Sequence, residues 1–119
     1  MIIKIKNLRV KTIIGVYDFE QTIKRDIIIN AIIETNDEKS LTSDNLKDTL
    51  DYDEIVNNIK HVIKNNNFKL IEAMAGAMLK AITQDKRINN CTLEIDKVGA
   101  VKDVDSLSIT LNYNKNGQN

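Results

Sequence analysis

One short stretch, Phe68-Lys69-Leu70-Ile71-Glu72-Ala73-Met74-Ala75, carries the residue types of a binding corner. Glu72 follows two apolar residues at the start of a segment with helical spacing. Leu70, Ile71, Met74, Met78, Ala81 and Ile82 recur every three to four positions, the period of a face turned to a core. Glu72 lies off the centre of that stripe and in its first turn. There the helix dipole favours a carboxylate, and the backbone N–H groups lack partners inside the helix. Such a corner sets an acceptor pair beside one or more donors in a fixed geometry. It suits a flat heterocycle that presents an amino group next to a ring N–H. Taken alone, Glu72 reads as an ordinary first-turn helix acid, and the rest of the chain has to decide.

The bulk numbers narrow the choice. The 119 residues suffice for one domain, 1–119, and are too few for two comfortable ones. Hydrophobic residues make up 42% and aromatics only 4%, so a packed core must come from Ile, Leu, Val, Ala and Met. The 17 basic residues balance 17 acidic ones, which leaves no electrostatic footprint for nucleic acid. No apolar run is long enough to cross a bilayer, and the N-terminus lacks a signal-peptide profile, so no membrane partner is expected. Cys91 is the sole cysteine, and an intrachain disulfide is excluded. These features favour a soluble cytoplasmic protein. Neither a Cys/His metal cluster nor a glycine-rich phosphate loop is present, so no metal or cofactor is expected.

Four strands and two helices can position such a corner. Ile3, Ile5, Leu8 and Val10 alternate with Lys4, Lys6, Arg9 and Lys11, the period of a strand with one wet face, and Asn7 breaks the phase as a bulge would. The strand extends to Gly15, and 15–22 reads as a loop. Ile27, Ile29 and Ala31, with Ile28, Ile32 and Ile33, form a second β-branched strand, antiparallel to the first. Glu34 to Asp51 reads as a polar connection with one short helical turn. Asp51 is an N-cap for a helix with Ile55, Val56, Ile59, Val62 and Ile63 on one stripe, stopped by Asn65-Asn66-Asn67. A second helix runs from about Lys69 to Thr83, and Asn89-Asn90 reads as a turn. Cys91, Leu93 and Ile95 alternate in a third strand leading to Lys97. A loop follows through Gly99 and Lys102-Asp103, and Leu107, Ile109 and Leu111 alternate in a fourth strand. Asn114 to Asn119 reads as a frayed tail. The order ββααββ predicts an α+β fold, an antiparallel four-stranded sheet with both helices on one face. The other face is polar. The sheet edges need protection, and pairing with another subunit is one way to supply it.

Five stretches, in this order and spacing, resemble the dihydroneopterin aldolase family. They are Ile5-Lys6-Asn7-Leu8-Arg9, Ile14-Gly15-Val16-Tyr17-Asp18-Phe19-Glu20, Asp48-Thr49-Leu50-Asp51-Tyr52, Leu70-Ile71-Glu72 and Ile95-Asp96-Lys97. The resemblance implies a tunnelling fold, in which small subunits join their sheets into a tetrameric β-barrel. Two such rings stack into a homo-octamer with sites between neighbouring subunits. It implies a folate-pathway enzyme that cuts the side chain of 7,8-dihydroneopterin, giving 6-hydroxymethyl-7,8-dihydropterin and glycolaldehyde. The substrate partner is then a small pterin, and the chemistry uses neither a metal nor a Schiff base.

A retro-aldol cleavage needs a proton removed from a hydroxyl and a sink for electrons. The conjugated C=N bond of the dihydropterin supplies the sink, so the protein has to hold the ring, move protons and steady charge. By resemblance, Glu72 anchors the ring with backbone help from Ile71. Backbone around Leu50 and Asp51 supplies another wall from a neighbouring subunit. Lys97 resembles the general acid/base. A free lysine has a pKa of about 10.4, so such a base needs burial or a nearby cation to lower it. Tyr52 resembles the tyrosine that helps protonate the enol-like intermediate, and Glu20 the loop carboxylate that orients the lysine or a water. Read from the residues alone, Lys97 is a strand-end lysine, Tyr52 an amphipathic helix-start residue and Glu20 a loop acid. His61 reads as structural or solvated, and Cys91 as a small buried strand residue.

The chain departs from the family where Val98 stands in place of the proline that often follows the lysine. The stretches Ile95 to Ala100 and Asp105-Ser106-Leu107-Ser108 resemble a sister group, the dihydroneopterin triphosphate epimerases. Members of that group often carry a histidine near position 99, where this chain has Gly99. The 15–21 loop resembles the aldolases. The expectation is therefore an aldolase with 2′-epimerisation as a second activity. The alternatives are a triphosphate epimerase, for which Lys24, Arg25 and Lys102 are candidate phosphate contacts, and a non-catalytic pterin-binding module.

Overall fold

The computed structural model describes residues 1–117. Four strands, β1 (Ile2–Ile13), β2 (Lys24–Thr35), β3 (Ile88–Val98) and β4 (Ser106–Asn114), form one antiparallel sheet in the order β1-β2-β3-β4. The connection from β2 contains a short helix, α1 (Ser40–Ser43), and a 3-10 turn at Leu46–Asp48, then the two long helices α2 (Tyr52–Lys64) and α3 (Ile71–Thr83). α2 packs on α3 and reaches β1, while α3 lies against β3 and β4.

Alternation explains the layers. Ile27, Ile29, Ala31 and Ile33 of β2 are buried, as are Cys91, Leu93 and Ile95 of β3, and they meet Ile55, Ile59 and Ile63 of α2 and Met74, Met78 and Ile82 of α3. β-branched side chains suit this pleated, covered surface. The open face carries Lys4, Arg9, Lys11, Asp26, Asn30, Glu34 and Glu94, with Asp26 paired to Arg9 and Lys11 at 3.1 and 3.0 Å. The phase of β1 survives because it bulges. The register shifts between Ile5 and Leu8, Asn7 adopts φ 55°, and its N–H donates to Asn30 Oδ1 at 2.8 Å. Ile3 and Ile5 on one side of the bulge and Leu8 and Val10 on the other thereby share the helix-covered face.

The helix ends follow from capping chemistry. Asp51 Oδ1 accepts from the N–H groups of Asp53 and Glu54 at 3.1 and 3.4 Å. At the other end, Asn65 and Asn66 donate their Nδ2 groups to the carbonyls of His61 and Val62 at 3.0 and 2.9 Å, satisfying carbonyls that the helix leaves open.

Three expectations require correction. Asn89-Asn90 is strand, not turn. The turn lies at 84–87, where Asp85 accepts from the Arg87 backbone N–H and grips its guanidinium at 2.7–3.0 Å. That Asp–Arg clasp closes the chain earlier than an asparagine pair would, and Asn90 pairs with Glu34 and Asn114. Asn114 therefore ends β4, and Lys115 N–H still donates to Asn89 O at 2.8 Å. Gln118 and Asn119, also assigned to a tail, lie outside the described residues. Third, α3 begins at Ile71 rather than near Lys69. Leu70 holds extended backbone at the N-cap and is 48% exposed, so it is not a core residue of the stripe.

Candidate active site

Lys97 owes its place to strand phase. Cys91, Leu93 and Ile95 point into the core, and the next residue in that alternation is Lys97, opposite Ile27 on β2 and Leu107 on β4. An ammonium is thus carried to the covered side of the sheet at its end, with 13% of its side chain exposed.

Glu20 is delivered by the loop after β1. Gly15 has φ +148°, and a Cβ there would collide with the Glu20 side chain, so glycine is required on both counts. The 3-10 turn Asp18–Gln21 folds Glu20 back, its N–H donating to Tyr17 O at 2.9 Å. Tyr17 N–H in turn donates to Glu20 Oε1 at 3.3 Å, and Gln21 Nε2 donates to Gly15 O. The other oxygen, Oε2, accepts from Lys97 Nζ at 3.0 Å, and Arg25 Nε stands 4.0 Å away. The Lys97 hydrogen bond chiefly holds the Glu20 carboxyl below its ordinary value. Burial opposes this, and the Tyr17 N–H and the charges of Lys97 and Arg25 add to it. Glu20 is therefore a carboxylate at neutral pH, and its oxygens are occupied before any ligand arrives.

Beside this pair lies a cleft of about 480 Å³, lined by Gly15, Tyr17, Glu20, Leu70, Ile71, Glu72 and Lys97 with Ser108 and Ile109 of β4. α3 opens onto it at its N-terminus. Leu70 offers no side-chain cap, so the first N–H groups of the helix are left for other acceptors. Glu72 is exposed there and has no hydrogen-bond or ion-pair partner among the described residues. Tyr17, stacked on Phe19 with ring centroids 5.9 Å apart, supplies an aromatic wall. Volume and lining match those of a small-molecule site, with an apolar body and a few polar groups converging.

One chain therefore brings together Glu20, Ile71, Glu72 and Lys97. It does not bring Tyr52, Leu50 or Asp51 to them. Tyr52 is 61% exposed at the start of α2 and lines a separate hollow with Asp44, Leu46 and Asp53. Leu50 is buried, and Asp51 caps the helix. Of the candidate phosphate contacts, Lys24 and Lys102 are exposed, while Arg25 is engaged: its Nη1 donates to Gly99 O at 3.0 Å. Arg25 and Gly15 are the site residues that sequence reasoning placed elsewhere or passed over. His61 is exposed, its Nδ1 2.7 Å from Asn65 Nδ2. Cys91 is buried, and burial pushes its thiol up to about 11.

A four-stranded sheet backed by two helices, with a lysine–carboxylate pair and an acid unpaired among the described residues on one cleft, makes this a small α+β domain with a polar cleft at the end of its sheet. The comparisons make this specific. The chain belongs to the dihydroneopterin aldolase family, whose model matches residues 3–112, and its fold is the tunnelling fold of that family. It is 35% identical over 114 residues to the dihydroneopterin triphosphate 2′-epimerase of Escherichia coli K12, covering 96% of this chain and 95% of that protein. It is 26% identical over 115 residues to the dihydroneopterin aldolase of the same strain, covering 97% and 94%. The crystal structure of E. coli dihydroneopterin aldolase in complex with neopterin superposes with a TM-score of 0.89 at 26% identity, covering 95% of this chain and 98% of that one.

Proposed function

We propose that this chain cleaves 7,8-dihydroneopterin in folate biosynthesis by a metal-free retro-aldol reaction, releasing glycolaldehyde and 6-hydroxymethyl-7,8-dihydropterin. The observation that carries the reading is the Lys97–Glu20 pair, 3.0 Å long and largely buried, in the same cleft as Glu72, which has no partner among the described residues. Glu72 takes the ring's amino group and neighbouring N–H, and the backbone at Ile71 adds a donor. Lys97, as a neutral amine, removes the proton of the side-chain hydroxyl. The carbon–carbon bond to the released aldehyde breaks, and its electron pair moves into the ring C=N. The ammonium so formed, with Tyr52, returns a proton to the carbon left behind. Glu20 orients the amine and offsets its charge.

Tyr52, Leu50 and Asp51 enter from a neighbouring copy in this reading. The sheet leaves β1 and β4 as its two edges, and pairing them between copies closes a ring and removes exposed edges. Two stacked tetrameric rings make the assembly an octamer, which light scattering tests directly.

A second reading, 2′-epimerisation of the triphosphate, is favoured by the higher identity to the epimerase, 35% against 26%. Epimerisation can begin with the same bond cleavage and then re-add the aldehyde to the opposite face. Purified protein given 7,8-dihydroneopterin and its triphosphate in parallel separates the readings. Aldehyde release from the unphosphorylated compound supports the aldolase. Inverted triphosphate without net aldehyde, at higher efficiency, supports the epimerase. No turnover of either by an assembled, neopterin-binding protein makes the chain a binding module.

A further inference from the structure

We propose that Arg25 is a positioning residue for Lys97: a second partner held ready for the Glu20 carboxylate, which it takes over as Lys97 gives up its proton. The inference rests on the reading of Lys97 as the base.

Arg25 reaches this place by strand phase. It precedes Ile27 by two residues on β2, so it shares the covered face on which Lys97 sits. Its side chain is 20% exposed. Nη1 is fixed on Gly99 O at 3.0 Å, in the turn that follows β3. Nε is buried and makes no hydrogen bond among the described residues. A buried N–H without a partner is costly, and folded proteins seldom tolerate one. This one lies 4.0 Å from Glu20 Oε2, the same oxygen that Lys97 holds at 3.0 Å. A shift of about 1 Å brings it to hydrogen-bond distance.

The charge balance gives that spare donor a use. With Lys97 protonated, one carboxylate is shared by two cations. When Lys97 is neutral, Glu20 and Arg25 remain as a neutral pair. Without Arg25, deprotonation of Lys97 would strand a buried carboxylate, which is strongly unfavourable. The other ionisable groups on the cleft are Glu72 and Lys69 at the start of α3 and the Tyr17 phenol, while β4 contributes the neutral Ser108. Arg25, which does not itself line the cleft, is thus the fixed cation beside Glu20 on the sheet.

The test is kcat and KM for 7,8-dihydroneopterin cleavage across neutral and alkaline pH, for Arg25→Gln and Arg25→Lys. Activity rises with pH as the base loses its proton, and removing a neighbouring positive charge makes that loss harder. Arg25→Gln should move the rising limb of the kcat profile up by about one pH unit. At neutral pH kcat should then fall about tenfold, with KM changed less than about threefold. Arg25→Lys keeps the charge and should leave the limb in place. A limb unmoved in the glutamine variant overturns the proposal, as does one displaced equally in both, which marks a merely structural arginine. Should the glutamine variant not fold, Arg25→Met, which keeps an unbranched apolar stem without the charge, decides on the same terms: a limb moved up supports the proposal and an unmoved one overturns it. Lys97→Ala separates this inference from its foundation. If that variant still turns over, the reading of Lys97 fails. If it is inactive while the Arg25→Gln limb stays put, only the Arg25 inference fails.

Discussion

The Lys97 end of the sheet and the exposed corner at the start of α2 are built on opposite principles. At the first, Lys97 and Glu20 are largely buried and bonded to each other, a glycine makes room for them, and a second cation stands by. At the second, Asp51 is engaged in capping, Leu50 is core, and the Tyr52 hydroxyl has no partner among the described residues. Groups that exchange protons act best when their neighbours hold them in place before the ligand arrives. A group that meets the ligand across an interface has to stay on the surface of its own chain. Under the proposed function the two corners have different jobs, chemistry for one and completion of the site for the other.

The sharpest way to break that contrast is Lys97→Ala. Turnover of 7,8-dihydroneopterin should fall about 1,000-fold, in the range for losing a general acid/base. Neopterin affinity by calorimetry should change less than about threefold, since in the proposed function the lysine moves protons rather than gripping the ring. Comparable turnover in the variant would leave the buried pair as a structural ion pair. Next in size is Glu72→Ala. Losing a charge-assisted double hydrogen bond should weaken neopterin binding about 30- to 100-fold. Cys91→Ala, which alters a buried strand residue away from the cleft, should leave that affinity nearly as it was. Equal losses from the two would remove the proposed grip.

Tyr52→Phe tests the other corner. It should lower kcat about tenfold without changing the melting temperature, because the residue is exposed and its hydroxyl has no partner among the described residues. Mixing subunits sharpens the comparison. Lys97→Ala and Tyr52→Phe chains refolded together should recover turnover above either alone, since some sites then take an intact lysine from one copy and an intact tyrosine from another. No gain in the mixture would mean that both residues serve a site within one chain, against their separation here.

The same contrast explains what could be read in advance. The four strands, both long helices, the Asn7 bulge and the Asp51 cap were legible because each rests on local periodicity or a single side-chain bond. The phase of β3 also carried Lys97 inward: Cys91, Leu93 and Ile95 continue to position 97. Extending Ile33, Ala31, Ile29 and Ile27 backward carries Arg25 inward too, which is the signal that could have found it among the candidate phosphate contacts. The turn at 84–87 was not legible, because an Asp85–Arg87 clasp competes with the turn propensity of Asn89-Asn90, and spacing does not weigh side-chain forks against propensity. Gly15 reads as an ordinary loop glycine until Glu20 is seen folded against it. The place of Tyr52 came through family resemblance alone, and the fold of one chain leaves it apart from Lys97.

The smallest expected effect concerns stability and acid. The Glu20 carboxyl is held below its ordinary value of 4.5, chiefly by the Lys97 hydrogen bond. A depressed folded value means that the unfolded chain takes up protons first, so the pair stabilises fully above pH 4.5 and loses its effect as pH falls through the lower folded value. Wild type should therefore melt several degrees above Glu20→Gln at neutral pH, about 4 °C for each kcal/mol in a domain of this size. The lead should shrink once the solution is well below the free carboxyl value. Asp53→Asn, a similar change in the exposed first turn of α2, should show little lead at any pH, because that carboxylate has no ion-pair partner among the described residues and solvent screens it. A Glu20 lead undiminished in acid would place the stabilisation in packing rather than charge, and the two corners would then differ in burial alone.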